Sequence, residues 1–153
     1  MNTSFVLHGV LLLVGTLLTG AGWGRGRISV ITRFLFVVNA GGWVLVGLVP
    51  ADIDEDLHVL GALLVMGLGN IGLVCAGFAA RDSLFGRLRS FSLSIAAAAV
   101  AATWMFFGRQ DPGIGLGGLE RIAAFAAGAW TLVMGLALLN VHRSDNAGTP
   151  RRT

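Results

Sequence analysis

The segment that decides the fold class is residues 57–80, which read LHVLGALLVMGLGNIGLVCAGFAA. It contains no Lys, Arg, Asp or Glu. A helix of about 20 apolar residues crosses a hydrocarbon core about 30 Å thick, so this segment predicts a transmembrane helix. Its glycines favour close approach of neighbouring helices, because small residues are what let membrane helices pack.

Four further apolar stretches of similar length surround this segment. They are residues 5–23, 29–49, 91–108 and 119–141. With 55% hydrophobic and 12% charged residues, the chain is too apolar for a soluble domain. The pattern predicts an all-α polytopic membrane bundle of five transmembrane helices in one domain, 1–143, followed by a polar tail, 144–153. The short connections predict that sequential helices are antiparallel neighbours.

The arginines predict how the bundle is oriented. Successive connections lie on alternate sides of the membrane. Nine arginines then fall on one side: Arg25, Arg27, Arg33, Arg81, Arg87, Arg89, Arg143, Arg151 and Arg152. Only Arg109 and Arg121 fall on the other. By the positive-inside rule the N-terminus is outside and the C-terminus is cytoplasmic, in a multi-pass protein of the inner cell membrane. Because the charge of +3 is explained by topology, nucleic acid is not an expected partner.

Helical periodicity places ionisable residues on small-residue faces. On the third helix His58 shares a face with glycines such as Gly69, whereas Leu63, Leu64 and Ile71 lie opposite. On the first helix, His8 shares a face with Gly15 and Thr19. On the fifth helix, Glu120 shares a face with Ala124 and Ala127. All three helices begin outside, so the pattern predicts an outward-facing polar pocket inside the bundle. The alternative is that these residues only cap helices and pair with arginines.

The candidate site residues divide into two groups. His58 and Glu120 are candidates for general acid and base, with Arg121 as their electrostatic partner. The candidates for ligand binding are His8, Asp52, Asn70 and Trp130. Three of these have a structural alternative of their own: Asn70 as an amide bonded to a neighbouring helix, Asp52 as part of a solvated turn, and Trp130 as a packing residue. The alternative for His8 is the helix cap given above. The acidic run 52–56 lacks the spacing of a calcium-binding loop, so whether it binds a cation stays open. No metal site is predicted, and the sequence does not indicate a cofactor.

Several short segments carry a family resemblance. They are GLVPAD at 47–52, HVLGA at 58–62, GLGN at 67–70, GLGGLER at 115–121, AW at 129–130 and GLALL at 135–139. From the second to the fifth helix the chain resembles the membrane family called domain of unknown function 998. The resemblance singles out six residues: Pro50, His58, Asn70, Glu120, Arg121 and Trp130. It implies a membrane protein but no activity.

Two classes of function follow from these patterns. The first is a binding protein for a lipid or other apolar small molecule, or a subunit of a membrane complex. The second is an intramembrane enzyme that uses His and Glu acid-base chemistry on a lipid or isoprenoid-like substrate. No residue pattern demands bond-making, so the first class is preferred and enzymatic activity stays open. The expected partners are the bilayer, an apolar ligand, and a second copy or another membrane protein.

Overall fold

The computed structural model describes residues 2–79 and 82–147. Arg81, Arg151 and Arg152, which enter the orientation prediction, and residues 148–153 of the predicted tail lie outside the described residues. Helices make up 83% of the structure, and the described residues contain no strand. The all-α prediction is confirmed.

The predicted apolar stretches all form helices. The elements, in chain order, are α1 (Asn2–Leu18), a 3₁₀ turn (Gly20–Trp23), α2 (Arg27–Leu48), α3 (Glu55–Ala76), a short α4 (Leu84–Arg87), α5 (Arg89–Phe107) and α6 (Leu116–Ala147). Most ends differ from the predicted bounds by a few residues. The last helix continues past residue 141 to Ala147, because a helix does not have to end where its apolar residues end.

Four helices are long and apolar enough to cross a membrane: α2, α3, α5 and the Leu116–Arg143 part of α6. The chain is therefore an integral membrane protein with several membrane helices. The apolar part of α1, Thr3–Leu18, is shorter. At 1.5 Å per residue it spans about 24 Å, less than a full hydrocarbon core. The fifth crossing and the orientation of the termini stay predictions.

Local signals explain where α3 begins. Pro50 precedes a turn in which the backbone N–H groups of Ile53 and Asp54 donate to its carbonyl. Asp54 then caps the helix, its side chain accepting a hydrogen bond of 3.0 Å from the Leu57 N–H. This cap pairs one of the N–H groups that a helix start leaves free. One acid of the 52–56 run thus has a structural role.

Glycines allow the helices to approach closely. A Cβ at Gly9 of α1 would lie 2.6 Å from the Ala40 carbonyl oxygen of α2, and one at Gly42 would lie 2.9 Å from the Gly61 oxygen of α3. The predicted small-residue face of α3 is confirmed, because Gly61, Gly69 and Gly72 are all buried. These contacts are available only to residues without a side chain.

The opposite face of α3 is only partly as predicted. Leu63 and Ile71 are exposed, as expected for residues that face lipid. Leu64 is half-buried. A Cβ added at Gly42 of α2 would lie 2.8 Å from the Leu64 Cβ. The assignment of Leu64 to the lipid face is therefore wrong. Leu64 lies within a π-helical segment, Leu63–Leu68, whose wider turn departs from the ideal helical periodicity used for the prediction.

The bundle has two chemically different ends. The helices alternate in direction, so the 49–54 turn and the 108–115 loop lie at one end, with Asp52, Asp54 and Asp111. This is called the acidic end below. The connections after α1 and before α5 lie at the other end, which is called the arginine end because it carries Arg25, Arg27, Arg87 and Arg89.

Candidate functional site

Asn70 joins three helices in the middle of the bundle. Its side chain in α3 is 2% exposed. The Nδ2 group donates hydrogen bonds to Thr103 Oγ1 of α5 at 2.9 Å and to the Ala123 carbonyl of α6 at 3.0 Å. A buried amide in a membrane helix requires such partners, because lipid offers none. These contacts are the interhelical bonds that the structural alternative for Asn70 describes.

The π-helical turn of α3 receives two more bonds from its neighbours. Thr103 Oγ1 has one proton, which it shares between the Ala99 carbonyl of its own helix at 2.8 Å and the Met66 carbonyl at 3.2 Å. Asn39 of α2, which is fully buried, donates from Nδ2 to the Val65 carbonyl at 3.2 Å. The wide turn presents its carbonyl groups to side-chain donors, a recurring use of π-helical segments. The polar interior is thus centred on α3.

A second polar group lies between α1, α2 and α6, nearer the acidic end. The rings of His8 and Trp43 meet edge to face with centroids 4.7 Å apart. Phe125 of α6 packs against both, 5.0 Å from Trp43 and 6.1 Å from His8. Gly128 makes room for the imidazole, because a Cβ at this position would lie 2.6 Å from His8 Cε1. The predicted inward placement of His8 agrees with these contacts.

His58 is held at the acidic end by the backbone. Its Nδ1 lies 2.9 Å from the Val49 carbonyl oxygen, which comes directly after α2. The side chain is half-buried. This bond closes the α2–α3 connection, so His58 has a structural partner there. Asp52 is exposed in the same turn.

Glu120 and Arg121 are both exposed at the start of α6. Arg121 Nη1 donates to the Gly117 carbonyl at 3.4 Å. Within residues 2–79 and 82–147, Glu120 has no hydrogen bond to His58, and no three His, Cys, Asp or Glu side chains are grouped to hold a metal ion. The structure therefore places His58 and Glu120 at the same end of the bundle without joining them.

The reason is a rotation of α6 relative to the predicted face. Its buried residues are Leu119, Ala123, Ala126, Ala127, Trp130 and Met134. This face is centred about 80° around the helix from the face predicted through Glu120, and Ala127 belongs to both. Both faces contain alanines, so the small-residue pattern alone did not distinguish them.

Trp130 belongs to the aromatic core near the arginine end. It is 1% exposed, and its Nε1 donates to Ser92 Oγ at 2.8 Å. Its ring packs against Trp23, Phe36 and Phe85, with centroids 5.2–5.5 Å away. The cavity beside it has a volume of only about 10 Å³. Such a space holds about one water molecule, and the placement agrees with the packing alternative for Trp130.

An open groove runs along the outer surface between α5 and α6. Its volume is about 260 Å³. The residues that line it are Ile95, Ala98, Arg121, Ile122, Phe125, Ala126 and Ala129. Arg121 is the charged member of this set, and Phe125 separates the groove from His8 and Trp43. The groove therefore has an apolar lining and a single guanidinium group.

Sequence patterns did not identify three residues that matter in this geometry: Thr103, Ser92 and Phe125. Thr103 and Ser92 carry a signal that could have been used, because each is a hydroxyl residue inside an otherwise apolar helix and needs a partner there. Phe125 carries none, because an aromatic residue on a membrane helix is usual at a lipid face as well as in a core.

Comparison with known families places the chain in one of them. The chain matches the family described as Protein of unknown function (DUF998) over residues 1–137. It belongs to this family. The match includes α1 and so extends further toward the N-terminus than the resemblance predicted, which began at the second helix. No curated protein and no solved structure matches the chain. DUF998 membership supports the membrane assignment and leaves the function to be argued from the site.

Proposed function

We propose that this DUF998 protein binds an anionic lipid in the groove between α5 and α6. In this proposal the protein lies in the inner cell membrane with the acidic end outside, as the excess of arginines at the other end favours. The groove then opens to the outer leaflet. A second copy or another membrane protein stays a further expected partner.

The observation that carries the proposal is the composition of the groove. Six of its seven lining residues are apolar, and the seventh is Arg121. An exposed apolar groove on a membrane helix pair is suited to an acyl chain, which adds contact without losing hydrogen bonds. Because Arg121 lies in the second turn of α6, it is near the membrane interface, where a long basic side chain extends its charge toward the headgroups.

Charge selects the class of lipid. A basic residue close to an anionic membrane surface contributes about 1 kcal/mol of attraction. A guanidinium also forms paired hydrogen bonds with phosphate oxygens. Within the described residues Arg121 has no carboxylate within ion-pair distance, so its N–H groups are available to a phosphate. These properties favour an anionic glycerophospholipid over a zwitterionic one.

The same geometry favours binding over catalysis. A general acid or base must reach the reacting atom within hydrogen-bond distance, and a working pair must converge on it. His58 is engaged with the Val49 carbonyl, and Glu120 is exposed and has no hydrogen bond to His58 among the described residues. The acid-base alternative would require both residues to leave these positions, so binding is the simpler proposal.

Quenching of tryptophan fluorescence by brominated lipids tests the proposal. Trp104 is 76% exposed and would dominate the signal, so the protein should carry Trp104→Phe. Two bilayer mixtures are compared: brominated phosphatidylglycerol with unlabelled phosphatidylcholine, and unlabelled phosphatidylglycerol with brominated phosphatidylcholine. Stronger quenching in the first mixture would show that the anionic lipid is enriched at the protein. The contribution of one arginine corresponds to about fivefold enrichment.

Arg121→Gln should remove this enrichment. Arg109→Asn is the matched control, because Arg109 is also an exposed arginine at the acidic end. Its backbone has φ of 52°, a conformation that Asn tolerates better than most residues. Equal enrichment in Arg121→Gln and in the control, or none in the parent protein, would overturn the proposal.

A further inference from the structure

His8 and Trp43 each hold a buried ring nitrogen without a hydrogen-bond partner among the described residues. These atoms are His8 Nε2 and Trp43 Nε1. The Trp43 side chain is 3% exposed, and the two rings are in contact with centroids 4.7 Å apart. Two unpaired polar atoms, one on each of two contacting rings, are thus enclosed in the same apolar region between α1, α2 and α6.

The surroundings cannot pair these atoms. Phe5 and Phe125 pack against Trp43 at 5.3 and 5.0 Å, and Gly128 lies beneath the imidazole. None of these side chains offers a hydrogen-bonding group. A buried polar group without a partner is costly in an apolar medium, so a site with two of them favours binding a group that pairs both.

Phe125 connects this pair to the groove. One side of its ring faces His8 and Trp43, and the residue also lines the groove between α5 and α6. The side chain is 43% exposed, so it has room to change rotamer toward the lipid side. A rotation of Phe125 would open a path from the groove to the two ring nitrogens.

We propose that His8 and Trp43 bind the hydroxyl oxygen of a neutral apolar alcohol whose chain lies in the groove. The Trp43 indole N–H can only donate, so it requires an oxygen acceptor. The imidazole Nε2 donates or accepts depending on its tautomer, and a hydroxyl matches either form. A carbonyl oxygen only accepts hydrogen bonds, so it pairs with Nε2 only in the tautomer that carries the proton on Nε2.

The apolar surroundings of the pair select a neutral group. The rings that surround it are apolar, and a charged ligand would lose its solvation without gaining a counter-ion. Arg121 lies at the mouth of the groove, one turn before Phe125, and not at this pair. The inference rests on the proposed function, because it uses the groove as the entrance, but it assigns a different chemistry to different residues.

Two probes with the same chain separate the hydroxyl from the chain. In the Trp104→Phe protein in detergent, 11-bromo-1-undecanol should quench fluorescence at a lower concentration than 1-bromoundecane. The half-quenching concentrations should differ by about threefold to tenfold, the range expected for one or two net hydrogen bonds. The Trp43 fluorophore reports on the site, because its ring is in contact with His8, and the measured quantity is the half-quenching concentration.

The preference for the alcohol should disappear in His8→Phe and in His8→Leu, each of which removes Nε2 and keeps the Trp43 fluorophore. It should persist in Arg109→Asn, which changes an arginine outside the groove lining. Either folded variant, judged by a monodisperse size-exclusion profile, is sufficient for the comparison. Equal half-quenching by the two probes in the parent protein, or an unchanged preference in the His8 variants, would overturn the inference. Failure of the proposed function would appear separately, as loss of the anionic-lipid enrichment with the alcohol preference intact.

Discussion

The bond between Asn70 and Thr103 offers the sharpest test of the bundle interior. Asn70→Leu removes the Nδ2 donor that reaches Thr103 and Ala123, and Thr103→Val removes the hydroxyl while keeping a similar shape. Each single change breaks the same 2.9 Å bond. The double variant can lose that bond only once, so the two changes should not be additive.

The magnitude follows from the groups involved. Hydrogen bonds between membrane helices contribute about 0.6 kcal/mol on average and at most about 1.7. Asn70→Leu loses two of them but also removes the buried Asn70 Oδ1, which has no partner among the described residues and offsets part of the loss. We therefore expect about 1 kcal/mol of destabilisation from Asn70→Leu, and a coupling of about 0.6 kcal/mol with Thr103→Val.

Reversible unfolding in SDS, followed by circular dichroism, measures the free energy of each variant. The control pairs Asn70→Leu with Ser92→Ala. Ser92 lies on the same helix as Thr103 but accepts its bond from Trp130 and shares no partner with Asn70. This control pair should be additive within about 0.3–0.5 kcal/mol. If the Asn70 and Thr103 changes are as additive as the control, the assigned network at α3 is wrong.

Two other expectations follow from the packing and from the arginine distribution. Gly69→Ala should lower stability strongly, because a Cβ there would overlap the buried Asn39 amide, whereas Gly67→Ala should change it little, because a Cβ there has no neighbour within 4 Å. Equal unfolding free energies for the two variants would contradict the close approach of α2 and α3. In a background without the native cysteine, Ile53→Cys should react with an impermeant thiol reagent added outside and Asp82→Cys should not. The reverse pattern would invert the orientation and place the groove entrance toward the cytoplasm.

Much of the architecture is determined by the sequence itself. Length and apolarity identified every long helix, because a helix forms where a stretch of apolar residues can satisfy its own backbone hydrogen bonds in lipid. Glycine spacing also indicated the buried face of α3, since Gly61, Gly69 and Gly72 recur on one side of a helix. His58 was predicted to share that face and Asn70 to lie near the middle of the membrane, but their partners were not identified.

Tertiary structure alone decided which side of α6 is buried and which polar residues meet. In water an amphipathic pattern marks the buried face, but in lipid both faces of a helix are apolar, so the pattern carries little information. The face is instead chosen by specific partners on other helices: Ser92 for Trp130 and the Ala123 carbonyl for Asn70. These choices leave Glu120 exposed and bring His8 against Trp43. The buried face of α6 and the polar contacts depend on residues that are distant along the chain. The local spacing of residues does not indicate which of these distant residues will be neighbours.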